Sequence, residues 1–203
     1  MATSTMDDVK KLRELTGAGM MDCRNALNEA GGDVDKAVTI LREKGIAKAA
    51  KRAGRDTANG VVESYLHRTG DYPPQVGVLV EVDCESDFVA KGEEFRQLAR
   101  ELAIHVAAAA PRWINPEDVP AEVIAEERSV HTRRYELEGK PAGQIEKIVD
   151  GQINAFYKDN CLMKQIWVRD NKTPIENLVK ENISRLQENI VVRRFSRFAV
   201  KEA

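Results

Sequence analysis

Val9, Leu12 and Leu15 fall at three-residue intervals behind Thr5, a spacing that predicts a helix with Thr5 as N-cap and Asp7 and Asp8 in its favourable first turn. Thr16-Gly17-Ala18-Gly19 then interrupts the pattern, because glycine supplies backbone angles that a helix interior does not use. Met20, Cys23, Ala26, Leu27 and Ala30 resume the three-and-four spacing until Gly31-Gly32. Asp33 then caps a third helix with Val34, Ala37, Val38 and Leu41 inward. Three amphipathic helices in about 40 residues make a minimal bundle. A unit of that size is marginal by itself and suits a docking appendage better than an enzyme.

The pattern downstream is mixed. Arg42 to Arg55 holds six basic residues and one acid, with alanines between them that favour helix. It reads as a solvated connector or as a strip for nucleic acid. Asp56 to Gly60 ends it. Val61–Leu66 and the β-branched run Val76–Val82, separated by Tyr72-Pro73-Pro74, predict a hairpin. A long helix follows from Glu93, with Phe95, Leu98, Leu102, Ile104, His105 and Val106 as core candidates. Pro116–Pro120 introduces another through Val123, Ile124 and Val130. Pro141 sits at the first position of a helix carrying Ile145, Ile148, Val149, Ile153 and Phe156. Thr173-Pro174 opens one more, and Ile190–Val200 reads as a closing strand. The order predicts an α+β chain with a mainly antiparallel sheet and helices packed on it. We divide it into a helical module (1–45), a basic connector (46–58) and an α+β core (59–203).

Composition narrows the function classes. The 203 residues carry 31 Lys+Arg against 33 Asp+Glu, and the net charge of −2 argues against a chain that coats nucleic acid. The imbalance is local: residues 1–58 hold 11 basic and 9 acidic residues, and the remainder 20 and 24. Aromatics at 5% are too few for a base-stacking platform. No apolar run spans a bilayer and the N-terminus shows no secretory pattern, so a cytoplasmic protein without membrane contact is expected. Cys23, Cys84 and Cys161 are far apart and odd in number, which fits a reducing compartment. No phosphate loop, metal-spaced His/Cys cluster or G-x-S-x-G elbow occurs. Gly17-Ala18-Gly19-Met20-Met21-Asp22 lacks the third glycine and the preceding strand of a dinucleotide fingerprint. A non-enzymatic protein without cofactor is the expectation.

The most informative stretch is Glu81 to Lys91. A buried strand ends near Cys84, and Glu85 or Ser86 can start one helical turn carrying Asp87, Phe88 and Val89 before Lys91-Gly92 closes it. By spacing alone, Phe88 plugs the core. The alternative is a short, stiff projection that presents an aromatic beside a carboxylate.

Two separated segments resemble the elongation factor Ts family. Leu12-Arg13-Glu14-Leu15-Thr16-Gly17-Ala18-Gly19-Met20-Met21-Asp22-Cys23 is similar to its opening signature. Asp87-Phe88-Val89-Ala90-Lys91 is similar to its second, with Ser86 where threonine is more usual. Leu162–Asp170 and Glu188-Asn189-Ile190 through Phe198 also resemble its C-terminal elements. The resemblance implies a guanine-nucleotide exchange factor for elongation factor Tu that binds no nucleotide itself. It implies a ubiquitin-associated-like helical module docking through Leu12, Met20, Met21, Arg24 and Lys51. It implies that Asp87, Phe88 and Val89 enter the partner beside its magnesium site, with His105 supporting them. Cys23 reads rather as bundle core, a role open to Leu12 and Met20 as well. The length implies the compact form, which in the family pairs as a homodimer. Ile166-Trp167 replaces a more usual proline-phenylalanine, and Gln187 stands where glycine is common. Two other readings stand beside this one: a ubiquitin-type adaptor built on residues 1–45, and a nucleic-acid binder using Arg42–Arg55 with Arg193, Arg194 and Arg197.

Overall fold

Thr5 and Asp8 start the described chain with a reciprocal cap. The Thr5 hydroxyl accepts the Asp8 N–H at 3.2 Å and the Asp8 carboxylate accepts the Thr5 N–H at 3.1 Å. The computed structural model describes residues 5–201. Residues 1–4, part of the stretch read for a secretory pattern, lie outside them.

Helix α1 (Met6–Thr16) ends on Gly17, whose φ of 66° is left-handed and costs glycine little. Helix α2 (Met20–Glu29) and helix α3 (Val34–Ala50) complete the bundle, with the Asp33 carboxylate accepting the Lys36 N–H at 3.0 Å. Val9, Leu12, Cys23, Ala26, Leu27 and Ala37 form its core, with Val34, Val38 and Leu41 packed around them. Leu15, read as part of the inward stripe, is 71% exposed. The third helix does not stop where the basic connector begins. It runs through Gly45 to Ala50, because the alanines and lysines around that glycine sustain helix.

Strands β1 (Asn59–His67), β2 (Val76–Cys84) and β3 (Ile190–Ala199) form an antiparallel sheet in the order β1-β2-β3. In β1 and β2 the register sets Gly60 against Asp83 and Gly77 against Leu66. β2 buries Val78, Val80, Val82 and Cys84, as expected for the middle strand. A single turn, α4 (Asp87–Ala90), separates β2 from α5 (Glu93–Ala109). On α5 the buried residues include Phe95, Leu98, Ala99, Leu102, Ala103, His105 and Val106, whereas Ile104, expected in the core, is half-buried.

Helices α6 (Ala121–Leu137) and α7 (Ala142–Asn160) make a hairpin with its own core, in which Ile145, Val149 and Ile153 pack with Ile124, Tyr135 and Tyr157. Val130 faces solvent at 57% exposure, and Pro141 is the N-cap of α7 rather than its first residue. Helix α8 (Ile175–Leu186) precedes β3.

The chain divides into two compact units. The first takes the chain through Glu63, Glu81–Ala99 and Asn177–Arg193; the second takes Ser64–Val80, Arg100–Glu176 and the chain from Arg194. In the first, α3 lies against α8. A Cβ added at buried Gly45 would stand 3.1 Å from the Ser184 Oγ, and Arg42 pairs with Glu181 at 2.7 Å. A side chain at Gly45 would require Ser184 to give way by a few tenths of an ångström.

Candidate partner-binding site

Buried valines carry β2 to Cys84, and there the chain turns outward. Ser86 is half-buried and extended, and its hydroxyl accepts the Val89 N–H at 3.3 Å to cap α4. Within this turn Val89 and Ala90 are buried, whereas Phe88 is 84% exposed. The core-plug reading of Phe88 is thereby overturned: the turn anchors itself through Val89, and the aromatic points into solvent. The Asp87 carboxylate is also exposed and accepts from Lys91 Nζ at 2.7 Å. That hydrogen bond, with the lysine's charge, holds the Asp87 carboxyl below the usual range, so the projection carries an ionised acid.

A short helical turn cannot hold itself. This one is braced from the α8–β3 junction, within the same unit. Glu188 Oε2 accepts the backbone N–H groups of Glu85 at 3.1 Å and Ser86 at 3.0 Å, and its Oε1 accepts the Ser86 hydroxyl. In return, Glu85 Oε1 accepts the Asn189 N–H at 2.6 Å. Asn59 Nδ2 donates to the Glu85 carbonyl at 2.9 Å, and Asn189 Nδ2 to the Arg55 carbonyl at 2.9 Å. The Cys84 thiol is pushed up to about 11 by burial and then by the Glu188 carboxylate, so it stays protonated and donates to the Ser86 carbonyl at 3.2 Å. Deeper in the sheet, Arg193 Nε donates to Asp83 at 2.7 Å. Glu85, Glu188, Asn189 and Asn59 escaped the reading by spacing, because a polar brace at an element boundary has no periodicity.

The other expected site residues fall in several settings. Leu12 is fully buried in the bundle and Met20 partly so, while Met21 is 65% exposed and Arg24 is also exposed. Leu15 and Met21 together give the module two exposed apolar side chains flanking the Thr16–Gly19 turn. Cys23 is buried, as expected, with its thiol donating to the Ala18 carbonyl at 3.6 Å. His105 belongs to the second unit and Asp87 and Phe88 to the first. His105 is fully buried, its Nε2 lies 3.0 Å from Gln165 Oε1, and burial lowers its pKa. Gln165 in turn donates to the carbonyls of Ala109 at 3.4 Å and Asp159 at 2.7 Å. With its amide nitrogen so used, its oxygen faces the ring, and His105 is the neutral Nε2–H tautomer.

The basic connector is largely spent on the protein itself. Arg42 pairs with Glu181, Lys44 with Glu29, Lys48 with Asp22 and Arg55 with Glu85. Arg52 donates to the Gln187 carbonyl and side chain. Lys51 alone of the six has no such partner among the described residues. This pattern supports the connector reading over a strip for phosphates, which needs open cations. Gln187 adopts a φ of 61°, a conformation that glycine takes most easily, and Arg52 holds it there.

Among the described residues, no group of three or more His, Cys, Asp or Glu side chains could hold a metal ion, and no helix is long and apolar enough to cross a membrane. A helical module joined to an α+β sheet, with an aromatic and a carboxylate held out on a braced turn, is the build of a protein that acts by contact with another macromolecule. The family described as "Elongation factor TS" matches residues 1–202. Elongation factor Ts of Caldanaerobacter subterraneus subsp. tengcongensis is 53% identical over 190 residues, 94% of this chain and 93% of the relative. Elongation factor Ts of Desulfosudis oleivorans is 48% identical over 202 residues, covering 100% of both chains. That of Carboxydothermus hydrogenoformans is 50% identical over 202 residues, 100% of this chain and 90% of the relative. The chain belongs to the elongation factor Ts family. Membership implies a nucleotide exchange factor acting on elongation factor Tu in translation elongation.

Proposed function

We propose that this chain releases GDP from elongation factor Tu by inserting the Asp87–Phe88 projection beside the partner's magnesium and nucleotide site. The observation that carries the reading is the exposure of Phe88, 84%, on a capped turn whose neighbouring residues are anchored. Nucleotide affinity in such GTPases rests on phosphate-loop amides and a magnesium ion. A protein without a phosphate loop acts on that site by distorting it. Phe88 gains apolar burial only in the distorted partner, and Asp87 disturbs the magnesium's hydration. Full burial of a phenylalanine is worth about 1.5–3 kcal/mol. By linkage the same free energy is withdrawn from GDP binding, about ten- to a hundredfold in affinity, and GDP withdraws it in turn from the exchange factor. Each ligand then speeds the other's departure, and no chemical step is needed.

The helical module of residues 1–45 is the docking arm in this reading. Met21 and Arg24 are its surface contacts, joined by Leu15 and by Lys51 of the adjoining connector, while Leu12 and Met20 hold the helices that display them. His105 supports the site from within the fold. The core pairs with a second copy: in the second unit Leu66, Leu79 and Phe198 stand 61%, 50% and 74% exposed, apolar area that a partner copy would cover. The protein works in the cytoplasm, where its partner does. Stopped-flow release of a fluorescent GDP from elongation factor Tu, with and without this chain, tests the activity. Acceleration supports it and an unchanged rate refutes it. Sedimentation at micromolar concentration tests the pairing, and a monomer there would refute that part.

A further inference from the structure

We propose that Glu188 is the positioning residue of the exchange site, fixing through Ser86 the direction in which Asp87 and Phe88 leave the protein; this rests on the exchange reading above. A serine hydroxyl has a single proton and two lone pairs. Glu188 Oε1 takes that proton, which leaves the lone pairs of Ser86 free to accept the Val89 N–H at 3.3 Å and so to cap α4. The other oxygen of Glu188 takes the N–H groups of Glu85 and Ser86, at 3.1 and 3.0 Å, and so fixes the backbone on the approach to the turn. One carboxylate thus sets both the path of the chain and the rotor of the cap.

Val89 and Ala90 anchor the turn by burial, and Cys84 and Asn59 hold the carbonyls of Ser86 and Glu85, but Glu188 is what joins the approach to the cap. Asp87 and Phe88 are exposed, and the contact of Asp87 with Lys91 lies within the turn's own span. Glu85 completes the brace by accepting the Asn189 N–H at 2.6 Å, so the two junctions hold one another. Glutamine at 188 would keep the shape while replacing one acceptor by a donor, which cannot take the Ser86 proton.

The test is GDP release from elongation factor Tu at increasing concentrations of the full chain, which separates the maximal rate from the half-saturating concentration. Glu188→Gln is expected to lower the maximal rate about tenfold, as a displaced contact group does, with half-saturation changed by less than about threefold. Ser86→Ala is expected to act alike and Ser86→Thr to keep the native rate, and these carry the test if Glu188→Gln fails to fold. The double variant Glu188→Gln/Phe88→Ala is expected to be no slower than Phe88→Ala alone, since Glu188 acts only through the projection. A native maximal rate in both Glu188→Gln and Ser86→Ala, or a full additional loss in the double variant, overturns the proposal. If Phe88→Ala itself exchanges at the native rate, the exchange reading falls, and this proposal with it.

Discussion

Phe88 and Val89 are neighbours on one four-residue turn, yet Phe88 is 84% exposed and Val89 only 9%. Successive helical residues point about 100° apart, so one side chain can hold the turn while the next is offered outward. Val89→Ala is therefore expected to cost about 2 kcal/mol of stability through lost burial. Phe88→Ala is expected to cost less than about 0.5 kcal/mol, as a surface change does. Urea unfolding of both variants checks the contrast, and a larger loss for Phe88→Ala would place that ring in the core.

Lys91 lowers the pKa of Asp87. The lysine's hydrogen bond, and then its charge, lower the carboxyl's pKa, while both groups are exposed. A lowered acid contributes stability above its unfolded pKa of about 4 and loses it as the pH falls through the folded value. Between pH 5 and 8 the projection is thus uniformly ionised, and Asp87 imposes no pH dependence on exchange. Lys91→Ala is expected to return the Asp87 pKa to the ordinary aspartate range in an NMR titration. A pKa unmoved by the substitution would remove Lys91 as the cause.

The docking role proposed for the helical module makes a separate prediction. Leu15 and Met21 are 71% and 65% exposed and contribute little to the bundle core. Leu15→Glu is expected to leave the thermal midpoint nearly unchanged and to weaken association with elongation factor Tu about tenfold or more, the size of an interface hot spot. Titration calorimetry reads the affinity. Native binding by both Leu15→Glu and Met21→Glu would place the docking face elsewhere.

His105 gives the fold its own acid sensitivity. It is fully buried beside Gln165, and burial holds its pKa below the usual histidine value of about 6.5. Between the folded and unfolded values the unfolded chain binds the proton and the native chain does not. Stability from this group is complete above about pH 6.5 and falls as the pH drops below it. The urea midpoint should therefore fall more between pH 7.5 and 5.5 in the native chain than in His105→Gln. Equal falls would show that His105 does not titrate across folding.

Much of this was legible in the order of residues, for local reasons. The caps at Thr5, Asp33 and Ser86, the hairpin and the closing strand all rest on short-range pattern, and each is found. Side-chain direction was less legible. Leu15 and Val130 sit at apolar helical spacing yet face solvent, because periodicity does not say how wide a stripe the fold covers. Spacing places Phe88 in the core, and only its resemblance to a family signature favours the outward direction that it takes. The brace of Glu188 and Glu85 joins residues about a hundred positions apart, and such pairs leave no mark on local pattern. The basic stretch reads from its charge as a connector or as a phosphate strip, and local pattern does not show that Arg42, Lys44, Lys48, Arg52 and Arg55 are engaged within the protein.

The central claim is that Phe88 is the working part of the exchange factor. Stopped-flow release of fluorescent GDP from elongation factor Tu, driven by saturating native chain or by Phe88→Ala, tests it most directly. The account predicts release about ten- to a hundredfold slower with Phe88→Ala, the range that burial of one phenylalanine supplies. Release at the native rate from a folded Phe88→Ala chain would contradict it.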